Sequence, residues 1–314
     1  MIQFIKHQLI QFIFFVFSTL RKFKKTRTIL DSCFEKIYNN NVKLFAPPGH
    51  FYSPIVDTKS LKSFENVPIT IPGIDISLVK HEQLFSNFLP HIKKNKFYQN
   101  QKIGRRYFLN NPSFGIADAC IYNAFLKEFL PNRIIEVGSG YSSALLLDTL
   151  DELNTKIDVT FIEPYPDDLF KILTNDDKSL VKILQKPVQD VPLSTFQHLE
   201  KGDLLFIDST HILKTNSDVL YELTEILPSL KKGVFVHFHD IFWPFEYPHN
   251  WLVNDNRSWN ELYALRIFLM NQKDYEIVFM NSYAGYFLNT NKQNPFPFDK
   301  NRGWGGSVYL RKIK

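Results

Sequence analysis

From Ser113 to the end of the chain, apolar residues fall in short unbroken runs separated by longer amphipathic stretches. The runs at 133–137, 158–164, 181–187, 203–210 and 233–240 carry few polar residues, as strands buried on both faces do. The intervening "GIADACIYNAFLKEFL" (115–130), "YSSALLLDTLDEL" (141–153), "SDVLYELTEILPSL" (217–230) and "SWNELYALRIFLMNQ" (258–272) read as helices. This alternation predicts an open, mostly parallel α/β sheet covered by helices. "YEIVFMNS" (275–282) and "SVYLRKI" (307–313) follow with no helical pattern between them, which predicts an antiparallel hairpin at the sheet edge. Ligands of such sheets bind at the carboxyl ends of the strands, near the point where strand order reverses.

The pattern weakens upstream. Residues 31–112 are rich in Pro, Asn, Lys and aromatic residues, and predict an ordered, loop-rich extension with one or two short helices. Residues 1–30 differ again. Ile2, Ile5, Leu9, Phe12, Ile13, Val16 and Leu20 share one helical face, Gln3, His7, Gln11 and Ser18 lie opposite, and "RKFKKTR" follows at 21–27. Polar residues interrupt the apolar stretch, so it falls short of the ~20 residues of a membrane span. An interfacial helix with a basic flank, touching an anionic membrane through residues 1–27, fits the pattern. A signal-anchor and a helix packed on the protein or a partner are the other readings. The chain thus divides into an apolar/basic helix (1–30), an extension (31–112) and a main domain (113–314), expected in the cytoplasm or at the inner face of the membrane.

Composition adds two exclusions. The net charge of +5 comes without a basic stripe in the main domain, which argues against a nucleic-acid partner. The two cysteines, Cys33 and Cys120, lack metal-ligand spacing and read as unpaired thiols in a reducing compartment.

Chemistry first shows at "RIIEVGSGYSS" (133–143). Gly138 and Gly140 allow a tight turn from strand to helix and close approach of a ligand, although Gly-x-Gly alone is weak evidence and Ser143 stands where a dinucleotide fingerprint has glycine. Glu136 ends the strand before the turn, where an acid would repel a pyrophosphate but pair with a cation. Glu163 closes the second strand, 27 residues later, where it can accept both ribose hydroxyls. Two such acids suit S-adenosylmethionine, whose amino group and sulfonium are positive.

"RIIEVGSGYSS", "FIEP", "LLFIDSTH", "GVFVHFHDIFWPFEYP" and "WNELYALRIFL" together resemble the class I S-adenosylmethionine-dependent methyltransferases, and within them the methyltransferase domain family 24 group related to catechol-type O-methyltransferases. The resemblance runs from "PPGHFYSP" (47–54) to the closing strand. It implies a Rossmann-like seven-stranded, mostly parallel sheet with an antiparallel last strand inserted between its neighbours. It further implies that Glu136, Gly138, Ser139, Gly140 and Tyr141, with Ser142 beside them, line the methionine side of the cofactor. Glu163 would then hold the ribose and Asp208 would lie near the transferred methyl.

A second cluster stands at the later strand ends. "IDSTH" places Asp208 and His211 after the fourth run, and "HFHD" places His237 and His239 on one face of the fifth, with Asp240 at its end. Four ionisable groups beside a cofactor cleft form a candidate catalytic set: His239, His211, Asp208 and Asp240. Methyl transfer is an in-line displacement on carbon, served mainly by positioning and by a base for the acceptor hydroxyl. His239 or His211 is the expected base. A divalent metal on Asp208, Asp240 and a histidine, His239, is a second expectation, although Ile241 stands where catechol-type relatives carry a third oxygen ligand. His237 reads as a hydrogen-bonded core histidine. Asp118 reads either as a first-turn acid or as a contact to cofactor or acceptor, and "IFWPFEYPHNW" (241–251) either as an aromatic lid or as a packing loop.

The expectation is therefore O-methylation of a small-molecule or glycan hydroxyl. A membrane-attached binding module of the same fold is the non-catalytic alternative. A nicotinamide-dependent oxidoreductase would need a Tyr-x-x-x-Lys pair after the turn, and Tyr98–Lys102 precedes it.

Overall fold

The computed structural model describes residues 45–61, 66–270, 272–288, 295–296 and 303–314. The expectations for residues 1–27 and for Cys33 lie outside this set. Two compact units divide the chain, Met1–Lys62 and Ser63–Lys314. In the first, the described residues form turns in which Phe45, Phe51 and Tyr52 are exposed.

The second unit is built on a seven-stranded sheet. Its strands are β1 (Arg133–Val137), β2 (Asp158–Ile162), β3 (Lys182–Leu184), β4 (Leu204–Ile207), β5 (Phe235–Phe238), β6 (Tyr275–Met280) and β7 (Val308–Lys312), in the order β3-β2-β1-β4-β5-β7-β6. The Rossmann-like architecture is as expected, with six strands parallel and β7 antiparallel to both its neighbours. The antiparallel pair at the sheet edge is as expected, with β7 inserted between β5 and β6, but a helix, Asn281–Phe287, intervenes between the two strands. β7 is buried at Val308, Tyr309 and Leu310, on both faces, as an inner strand must be.

Strand parity sorts the side chains. Ile134, Phe161, Phe206, Phe235, Tyr309 and Phe279 face one core, beneath α1 (Leu78–Lys94), α2 (Ile116–Phe129) and α3 (Tyr141–Leu153). Ile135, Ile162, Leu205, Val236 and Leu310 face the other, against the helical run 218–229 and α4 (Glu261–Leu269). Within the extension, α1 presents His81, Phe85, Phe88 and Ile92 on one helical stripe and packs on α2 and β6. Weak periodicity concealed this 17-residue helix, which also contains Pro90. Arg106 ties the following segment down through Asp148, Asp151 and Asp177.

The register sets two rows of side chains on the α2 face. Phe161, Glu136, Phe206, His237 and Tyr309 are direct partners across β2, β1, β4, β5 and β7. Two residues further along each of these strands, at the carboxyl ends of the parallel ones, come Glu163, Gly138, Asp208 and His239, with Ser307 entering β7 alongside. The expected acids therefore converge because pairing and parity bring them together. Among the described residues no helix is long and apolar enough to cross a membrane.

Candidate active site

The glycine turn joins β1 to α3. Gly138 has φ +78°, and a Cβ there would meet the Asp208 carbonyl oxygen at 1.8 Å, so this backbone crossing admits only glycine. At Gly140 a Cβ would have nothing within 4 Å. That open space is what a ligand approaching the start of α3 requires. Ser139, Gly140 and Tyr141 line a cleft of about 1110 Å³ together with Phe108, Ser113 and Lys171.

Glu136 lies beneath the turn, fully buried. Its Oε1 accepts from Ser142 Oγ (2.6 Å) and Ser143 Oγ (2.7 Å), while Oε2 has no partner. Burial pushes its carboxyl up to about 8, against the opposing pull of the two hydroxyls. Glu163, half-buried, accepts from the backbone N–H groups of Ser139 (3.1 Å) and Tyr165 (2.9 Å), and so ties the end of β2 to the turn.

Asp208, His211, His239 and Asp240 meet at the ends of β4 and β5. His211 Nε2 lies 3.3 Å from Asp208 and 3.6 Å from Asp240. His239 Nδ1 makes the same two distances to the same two acids, without hydrogen-bond alignment. His211 (φ +60°) and Asp240 (φ +58°) both hold left-handed backbone, a strain of order 1 kcal/mol each that the surrounding structure must sustain.

Each histidine is backed by a further acid. His211 Nδ1 sits 2.6 Å from Glu261 Oε2, and His239 Nε2 sits 3.8 Å from Asp118 Oδ2. Asp118 is buried, and its Oδ1 accepts from Asn281 Nδ2, Gly306 N and Ser307 Oγ. It is thus a structural anchor for the approach to β7 that also faces the histidine. Burial disfavours the charged ring, but Asp208 and Glu261 override it and raise His211 to about 10. His239 is likewise raised well above the ordinary histidine value against burial, by Asp240, Asp208 and Asp118. Asp208 is held below the usual carboxylate range despite burial, chiefly by the charge of His239, whereas burial lifts Asp240 to about 6. The acids thus favour the protonated form of both rings, and positive charge brought between the acids would oppose that preference.

One donor atom each from Asp208, His211 and Asp240 lies within 4.8 Å of the others, a hard oxygen-rich set with one imidazole that fits a divalent cation. The histidine of this set is His211, whereas the sequence pointed to His239. Residues 135–241, from β1 through the last of these acids, match the family model described as "Methyltransferase domain". An "Uncharacterized protein" of Archaeoglobus fulgidus is 35% identical over 172 residues, covering 51% of this chain and 76% of the relative.

The chain belongs to the class I S-adenosylmethionine-dependent methyltransferases.

Solved methyltransferase structures are similar to it at greater distance. The SAH-bound methyltransferase PaMTH1 of Podospora anserina is 16% identical, covering 62% of this chain and 78% of that one at a TM-score of 0.39. The O-methyltransferase TomG of Streptomyces achromogenes, in complex with SAM, is 16% identical over 65% and 83% of the two chains, at 0.39. In the methyltransferase domain described here, one expectation needs revision and one open choice narrows. His237 is a core histidine, stacked 4.2 Å from Tyr309, but neither ring nitrogen finds a hydrogen bond, and burial keeps it neutral. The aromatic run is mainly a packing loop: Ile241, Trp243, Phe245 and Tyr247 are buried by alternation, with Trp243 Nε1 donating to Pro68 O. Only Phe242 of its first residues stays partly exposed, edge-on to Trp251.

Sequence reasoning missed Glu261 and Glu222. Glu222 is a buried acid in a π-helical turn that accepts from Ser209 Oγ. An acid in the first turn of a helix is ordinary, so neither residue carries a local signal of its role.

Proposed function

We propose that the methyltransferase transfers a methyl group from S-adenosylmethionine to the hydroxyl of a small molecule or glycan. The observation that carries this reading is the convergence of Asp208, Asp240, His211 and His239 on the same strand ends as the Gly138 turn. The turn suits the cofactor: Gly140 opens onto space, Ser139 Oγ and Glu136 Oε2 lack partners, and the buried group beneath the turn is an acid. Ser139, Gly140 and Tyr141 would face its amino-acid end, with Glu136 and Ser142 supporting them from below, and Glu163 its ribose. The bound cofactor supplies an electrophilic methyl on a positive sulfur.

Asp208, His211 and Asp240 are the residues that would hold a divalent cation, which would polarise an acceptor oxygen. His239, facing the same two acids from the other side, is the group assigned to take the acceptor's proton. The protein's part is to fix donor and acceptor in line and to exclude water, where most of the acceleration of such a transfer resides. A membrane surface reached through residues 1–27 would place a lipid-linked glycan within the acceptor class.

Calorimetry with S-adenosylhomocysteine tests the core of this reading. Wild type should bind, Glu163→Ala should weaken binding about tenfold or more, and Asp240→Asn should leave it within a few-fold. Absence of binding by the intact protein, or indifference to Glu163→Ala, would overturn it.

A further inference from the structure

Glu261 lies 50 residues from His211 in sequence, yet the two form one of the tightest buried contacts of the site, 2.6 Å between side chains exposed by only 1% and 7%. The surrounding tripeptide grips the same loop. His211 O accepts both the Asn260 and Glu261 N–H groups at 3.1 Å, so the backbone of His211 caps the start of α4. Asn260 brackets Leu213, accepting from its N–H and donating to its C=O. Trp259 lies against the His211 imidazole at 4.3 Å with 37° between planes. His211 is thus held from three sides in left-handed backbone, and its one free ring position, Nε2, is directed at Asp208 and Asp240.

We propose that Glu261 is the positioning residue of this site: it engages His211 Nδ1 and thereby presents Nε2 to the Asp208–Asp240 pair as a cation ligand. This rests on the site assignment above, and the physical reason is general. An imidazole has two inequivalent nitrogens, and the hydrogen bond made by one decides what the other offers. A carboxylate behind a ligating histidine fixes the tautomer and strengthens the ring as a donor, and removing such a partner costs about 10–100-fold in cation affinity. Glu222, engaged by Ser209 Oγ, is a second buried acid near Glu261, and burial together with Glu261 raises its carboxyl well above the usual carboxylate range.

The test uses the full chain with Mn²⁺ as the probe, followed by electron paramagnetic resonance, and ¹⁵N-histidine labelling to read the ring tautomers. In the Mn²⁺-free protein, His211 should show a protonated Nδ1 whose signal moves in Glu261→Ala and Glu261→Gln. Mn²⁺ affinity should fall about 10–100-fold in Glu261→Ala and recover in part in Glu261→Asp. S-adenosylhomocysteine affinity should stay within about threefold throughout. Asn260→Ala, which loosens the same loop without touching the ring, separates positioning from scaffolding: it should leave Mn²⁺ affinity within about threefold. If Glu261→Ala fails to fold, the near-isosteric Glu261→Gln decides. Unchanged ring signals and Mn²⁺ affinity in that variant, or an equal loss in Asn260→Ala, would overturn the proposal. Failure of wild type to bind Mn²⁺ would refute the cation role of His211, while failure to bind S-adenosylhomocysteine would instead refute the functional reading.

Discussion

Replacing Glu136 by glutamine should make the free protein more stable at alkaline pH while weakening its grip on the cofactor. The folded carboxyl sits near 8 and the unfolded one near 4.5, a gap of 8 − 4.5 = 3.5 pH units. Burial is the leading cause, and the hydroxyls of Ser142 and Ser143 only partly offset it. Because the folded acid binds its proton more tightly, this group's contribution is fully present below about pH 4.5 and is lost as pH rises through 8. At about 1.4 kcal/mol per unit, the ceiling is about 5 kcal/mol. Glutamine keeps an oxygen for the two serine hydroxyls and cannot ionise, so its stability should lack this component. Urea unfolding of both proteins at pH 5 and pH 8.5 isolates the effect, since all other titrations are common to both. The difference in unfolding free energy should shift by about 3–5 kcal/mol in favour of the variant at the higher pH. S-adenosylhomocysteine, whose ammonium the carboxylate would neutralise, should bind the variant at least tenfold more weakly. A stability difference that does not change with pH would refute the account of Glu136 as a buried acid held neutral until a cation arrives.

Gly138→Ala and Gly140→Ala should part company. The first drives a methyl into the Asp208 carbonyl and should leave little folded protein, whereas the second should melt near wild type yet lose S-adenosylhomocysteine binding in calorimetry. Arg106→Met strands Asp148 and Asp177, both largely buried, and should cost about 3–5 kcal/mol in urea unfolding. His81 is buried with Nε2 accepting from Met280 N, and burial lowers it to about 4, so the folded state resists its protonation. Its contribution, about 3 kcal/mol from 6.5 − 4 = 2.5 units, should be intact above pH 6.5 and disappear as pH falls to 4; His81→Gln should flatten that part of the stability profile.

What the chain disclosed beforehand was whatever has a short period or a local signature. Gly138, Gly140 and the parity of Glu136, Glu163, Asp208 and His239 follow from runs a few residues long, and the structure brings three of those four acids and bases to one row. Contacts across long separations were not legible. The Glu261–His211 pair spans 50 residues, and Asp118 reaches Ser307 across 189. The place of β7 between β5 and β6 was legible only through the family resemblance, because no local pattern records which strand takes an open edge. The aromatic run left two readings open, a ligand-facing cover or a packing loop, and the burial of Ile241, Trp243, Phe245 and Tyr247 favours packing.

The row of acids and imidazole at the strand ends also restricts how this protein can change over generations. Val137, Ile162, Ile207 and Phe238, the immediate neighbours of those positions, are sealed against the opposite helices. Gaining or losing a single residue within any parallel strand would exchange an oily side chain for a charged one on both sides at once, destroying solvent exclusion and chemistry together. Length changes should therefore be tolerated in the connections and not within the parallel strands.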